Sequence, residues 1–104
     1  MLNKIIKTSE ALGWSVEDDG DTVSFYQYSP AGEDFSFTVG KENIIKEVRE
    51  YAADFDIDEH IEMRIEAKRN GVSGIPSARE LVHDAEDIDG MLQELAAALS
   101  ELEV

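Results

Sequence analysis

The chain contains no cysteine. Disulfides, thiolate nucleophiles and cysteine-bound zinc are therefore excluded, and nothing asks for an oxidising compartment. Basic residues are scarce. Nine Lys and Arg stand against 24 Asp and Glu, a formal net charge of −15 over 104 residues. A surface this negative is repelled by phosphate backbones and by anionic bilayers, which argues against direct nucleic-acid binding and against a membrane role. No apolar run approaches the roughly 20 residues that span a bilayer. The opening segment places Leu2, Ile5, Ile6, Ser9 and Leu12 on one helical face and Lys4, Lys7 and Glu10 elsewhere, which is not a signal-peptide core. A cytoplasmic location is the expectation. There are two histidines, His60 and His83, on different predicted helices and without an H-E-x-x-H pair. No G-x-S-x-G elbow occurs, and Gly71 and Gly74 are not followed by the Lys-Ser/Thr of a phosphate loop. The chain reads as non-catalytic, with no cofactor and no metal.

What remains is enough to build a core. Hydrophobic residues make up 42 % of the chain, which suits one globular domain over residues 1–104 rather than a disordered tail. A helix is predicted to stop near Gly13, and a short strand follows at Trp14–Glu17. Asp18-Asp19-Gly20-Asp21 reads as a turn, since Gly tolerates positive φ and Asp caps its own backbone. Thr22–Tyr28 alternates, with Val23 and Phe25 on one side and Ser24, Tyr26 and Tyr28 on the other. Residues 29–33 are expected to form a second turn, and Phe35, Phe37 and Val39 then alternate with Ser36 and Thr38. This period of two predicts a three-stranded antiparallel meander with one buried face.

After Gly40 the period changes to that of a helix, with Ile44, Ile45, Val48, Tyr51, Ala52 and Phe55 in register. A third helix is expected from about Asp58 to Asn70, stopped by Asn70-Gly71. Ser77 and Glu80 form a capping box ahead of the fourth. The predicted fold is α+β, in the order α-β-β-β-α-α-α, with the helices mainly on one sheet face.

The last helix is the most patterned element. Ala78, Leu81, Ala85, Ile88, Leu92, Leu95, Leu99 and Leu102 alternate at spacings of three and four. Leu81, Ile88, Leu92, Leu95 and Leu99 are expected to pack on Phe35, Phe37, Val48 and Tyr51. A coiled-coil dimer is the competing use of such a seam, but Glu80, Asp87, Glu94 and Glu101 along one edge leave no opposite charge for a self-pair. A monomer is therefore favoured. Gly90 lies off the seam, and Asp87 offers a cap for a new helix, so two pieces are also compatible with the sequence.

Acidic clusters invite a search for metal. Asp54-Phe55-Asp56-Ile57-Asp58 opens like a calcium loop, but Glu59 stands where Gly belongs and Ile65 where the closing Glu belongs. Helix capping by Asp56 or Asp58, and by Asp87, accounts for these residues. The distribution of charge says more than its total. From Thr8 to Gly40 and again from Glu80 to Val104 there is no Lys or Arg, while the middle carries mixed charge, with Glu42 and Lys46 spaced as an ion pair. A segregated field of one sign suits steering of a basic partner, or mimicry of nucleic acid, at the expense of self-repulsion. Solubility alone is the plainer explanation.

Three segments, Tyr28-Ser29-Pro30-Ala31-Gly32-Glu33-Asp34-Phe35-Ser36-Phe37, Asp54 to Met63, and Gly71-Val72-Ser73-Gly74-Ile75-Pro76-Ser77, resemble small acidic proteins encoded in phage and conjugative elements of gut Firmicutes. The resemblance spans most of the chain and carries no motif of known chemistry, so no site residue is carried over from it. It implies a mobile-element context, in which small acidic inhibitors of host restriction or CRISPR enzymes occur. Two functions follow. In the first, carboxylates of the last helix (Glu80, Asp84, Asp87, Glu94 and Glu101) stand in for phosphates and occupy a basic nucleic-acid-handling protein. Glu80, Asp84 and Asp87 lie on adjacent turns, roughly 5–6 Å apart, close to the spacing of phosphates along one strand. In the second, the chain is an interaction or regulatory module, and Tyr26 and Tyr28 are its anchors unless a helix covers them.

Overall fold

A computed structural model describes residues 1–29, 34–69, 71 and 78–103. The order is α1 (Leu2–Ala11), β1 (Ser15–Asp18), β2 (Thr22–Tyr28), β3 (Asp34–Gly40), a 3-10 turn (Lys41–Asn43), α2 (Ile44–Asp54), α3 (Ile57–Arg69) and α4 (Ala78–Glu101). The architecture is the expected α-β-β-β-α-α-α. The predicted turn at 29–33, the Asn70 stop and the Ser77 cap rest on residues 30–33, 70 and 77, which lie outside the described residues.

Helix α1 ends in a Schellman motif. Gly13 adopts φ +96°, its N–H reaches Glu10 O at 3.0 Å, and the Trp14 N–H reaches Ser9 O at 3.0 Å. Trp14 therefore belongs to the helix stop, and β1 starts one residue later than its sequence suggests. At the β1–β2 turn Gly20 has φ +97° and donates its N–H to Asp18 Oδ1 at 3.0 Å. The sheet is antiparallel in the order β1-β2-β3, with Phe25 opposite Val16 and Phe37. Val23, Phe25, Phe35, Phe37 and Val39 fill its inner face. Trp14 sets its edge against Phe25 and Phe37, which stack on each other at 5.0 Å, and Tyr51 of α2 stacks on Phe37 at 4.5 Å.

Helix α4 covers this core and also packs against α1, α2 and α3. It is one helix from Ala78 to Glu101. The break entertained at Gly90 does not occur, and Asp87 is an exposed mid-helix residue rather than a cap. The reason is burial. Ile88 before Gly90 and Leu92, Leu95 and Leu99 after it are all 0 % exposed, and their packing outweighs the roughly 1 kcal/mol that a helical Gly costs. Leu81 and Ala85 are buried too, but on this helix the main cluster with Phe35, Phe37 and Val48 begins at Ile88. The leucine seam is thus spent inside its own chain. The capping of α3 falls to Asp56, whose Oδ1 accepts the Glu59 N–H at 3.1 Å. On α2 the expected Glu42–Lys46 pair is not formed; Lys46 lies 4.0 Å from Glu50.

Candidate functional site

Three surfaces hold the residues of interest. The first is the outer edge of α4. Glu80, Asp87, Glu94 and Glu101 are exposed along it, but Asp84 is 2 % exposed and lies off this surface. Asp84 lies three residues after Leu81 and four before Ile88, inside the apolar stripe, and helix geometry turns it inward with them. The consequence reaches the mimicry argument. Without Asp84 the remaining acids recur every seven residues, about 10.5 Å along the axis. That is a sparse line rather than a phosphate-like ladder.

The second surface is the outer face of the sheet. Tyr28 is 71 % exposed and Tyr26 37 % exposed, and among the described residues no helix covers them. They line, with Gly13, Ser15, Gln27 and Asp34, a shallow depression of about 320 Å³. The Tyr26 hydroxyl donates to Glu17 Oε2 at 3.3 Å across the β1–β2 pair. Beside Tyr26 the face is flat and small-chained, with Ser24 and Thr38 hydroxyls 2.9 Å apart and Ser24 donating to Asp19 Oδ2 at 2.6 Å. The acids at the turn are not equivalent. Lys41 Nζ donates to both oxygens of Asp18 at 3.0 and 2.8 Å. That ammonium, with the Gly20 N–H, holds the Asp18 carboxyl below its ordinary value.

The third surface was not singled out from the sequence. Where α2 ends at Asp54, Phe55 takes an extended conformation (φ −63°, ψ 119°) and turns the chain into α3. The corner leaves a groove of about 480 Å³ against the start of β3. Phe35, Phe55 and His60 meet in its wall, with ring centroids 6.1, 6.3 and 5.6 Å apart. Tyr51 and Met63 also line it, and Met63 is 62 % exposed. Burial pushes the Tyr51 phenol up. The rim carries Asp34, Asp54, Asp56 and Glu59, and among the described residues no Lys or Arg lines it. The helical spacing of Phe55 marks it as one more core residue; the signal for something else is its place inside the run Asp54-Phe55-Asp56-Ile57-Asp58. Asp34 borders both this groove and the tyrosine depression.

Among the described residues no three His, Asp or Glu side chains converge as a metal site would need, and no helix is long and apolar enough to cross a membrane. No protein-family model, curated protein or solved structure matches the chain.

Proposed function

We propose that the chain is a non-catalytic, cytoplasmic acidic binding protein that captures a basic protein partner, with the open sheet face around Tyr26 and Tyr28 as its contact surface. One observation carries the reading. Tyr28 stands largely in solvent and Tyr26 is about a third exposed on the outer sheet face, whereas the other Phe, Tyr and Trp side chains are buried or half-buried. Exposed tyrosines supply large contact area at small entropic loss, and they concentrate binding energy at interfaces. Glu17 and Asp34 flank them, and the net charge of −15 adds a long-range pull on a basic partner. A nucleic-acid-handling protein of a host defence system is the partner class that the mobile-element resemblance implies.

The second reading keeps the same partner but gives the contact to α4 as a nucleic-acid mimic. The exposed line of Glu80, Asp87, Glu94 and Glu101 favours it, and the burial of Asp84 weakens it. The two are separated by affinity capture from a host lysate, followed by paired variants. Tyr26→Ala with Tyr28→Ala is expected to abolish capture. Neutralising Glu80, Asp87, Glu94 and Glu101 together is expected to slow association and to matter little at about 0.5 M salt. The reverse pattern would favour the mimic and defeat the sheet-face reading.

A further inference from the structure

We infer that the groove between the start of β3 and the α2–α3 corner is a receptor for an arginine side chain presented by a basic partner. This rests on the reading that the chain binds a basic protein, and it names a second contact on that partner.

The argument is one of complementarity. A guanidinium is planar, weakly hydrated and permanently charged. It stacks on aromatic faces while its N–H groups fork onto carboxylates. The groove offers both halves. Phe35 and Phe55 stand at 88° to each other, and the imidazole of His60 closes the corner. The three rings pack on one another and Phe35 is only 7 % exposed, so it backs the wall and a cation rests on the half-buried Phe55 and His60 rather than between the rings. Asp54 and Glu59 are exposed on the rim from two different helices, and Asp34 extends the negative edge to the tyrosine face. Asp56 has a separate task, because its carboxylate caps α3. The groove's volume of about 480 Å³ is ample for one long side chain. Among the described residues the tyrosine depression also joins rings to a carboxylate, but with Asp34 alone and in a smaller volume of about 320 Å³, and two further depressions lack the pairing. One is lined by Lys41 and Lys46, and the other by Lys41 among turn residues without an aromatic ring. A lysine ammonium satisfies the carboxylates but not the ring faces, so arginine is the better fit.

The test titrates the labelled chain with an acetylated hexa-arginine peptide at about 0.15 M salt, reading backbone amide shifts and affinity. Shifts centred on Phe35, Ser36, Phe55 and Glu59 are expected. Asp54→Asn with Glu59→Gln, two exposed and nearly isosteric changes, should weaken binding roughly tenfold while leaving the remaining amide map in place. Hexa-lysine and a hexa-citrulline peptide should both bind more weakly. Tyr26→Ala with Tyr28→Ala should leave hexa-arginine in the groove. Shifts centred on Tyr26 and Tyr28 instead would overturn the groove inference and keep the broader reading. Equal affinity for arginine and lysine, or tight binding of tetramethylammonium alone, would also overturn it. Groove amides that shift with protein concentration in the absence of peptide would identify a second copy of the chain as the occupant. Absence of binding by any cationic peptide, even at low salt, would remove this inference and the proposed function together.

Discussion

Asp84 and Glu94 sit on one helix, both acidic, and the fold treats them oppositely. Asp84 is 2 % exposed and Glu94 is on the surface. Asp84→Lys is expected to lower stability by on the order of 3 kcal/mol, because it forces a hydrated ammonium into a packed site. Glu94→Lys should stay within about 0.5 kcal/mol of the parent. Chemical denaturation of the two variants checks the contrast, and equal effects would mean that Asp84 is accessible. Asp18 gives a pH-dependent counterpart. Lys41 and the Gly20 N–H favour its charged form, so the folded state binds its proton less readily than the unfolded chain does. The stabilisation is complete above its ordinary value of 3.8 and fades as pH falls through the folded value. The difference in Tm between the parent and Asp18→Asn should accordingly shrink between about pH 6 and about pH 2. A gap that widens on acidification would contradict the Lys41 assignment. Residue-scale legibility was uneven. The spacing of Asp84 within the apolar stripe was there to be read, but its residue type spoke for solvent, and only tertiary packing decides which prevails.

At the scale of elements, periodicity was a reliable guide where local chemistry agreed with it. Strand β2 runs from Thr22 to Tyr28, with the bounds that its alternation and the flanking Asp-Gly turn predict. Helix α4 shows the limit. Gly90 and Asp87 are both break signals locally, and they are overruled by buried leucines on either side that a linear reading cannot weigh. That outcome has a measurable corollary. A Cβ added at Gly90 meets nothing within 4 Å, so Gly90→Ala should raise stability by about 1 kcal/mol and Tm by roughly 4–8 °C. A loss instead would show that the helix needs flexibility there. Leu95→Ala, at a fully buried position in the main cluster, should cost about 2–5 kcal/mol. The groove at the α2–α3 corner was illegible for a related reason. Phe55 is in register with the apolar positions of α2, but the helix ends one residue before it and the ring swings to face His60.

For the whole molecule the charge imbalance is the governing quantity. Nine Lys and Arg cannot offset 24 Asp and Glu however they pair. Lys41 with Asp18 is close at 2.8 Å, whereas Lys46–Glu50 and Arg49–Glu103 are both 4.0 Å apart. Self-repulsion therefore outweighs attraction, and Tm should rise as sodium chloride is raised from about 0.01 M to about 0.5 M. A fall would mean that the few ion pairs matter more than the excess.

The position of α4 in the chain adds a temporal constraint. It touches α1, α2 and α3 and covers the inner sheet face, yet it is synthesised after all of them. The two hairpins are local and can close early, and Trp14, Tyr51 and Phe55 can settle on Phe25, Phe35 and Phe37, but the core lacks its largest fully buried leucines until residues 88–99 arrive. Completion of the core therefore waits for residues 88–99. In the interval, the carboxylates beside those strands are expected to keep nascent chains apart by like-charge repulsion. A fragment of residues 1–77 should stay in solution and yet be cleaved rapidly by proteases, and adding the missing helix as a separate peptide should restore its protection.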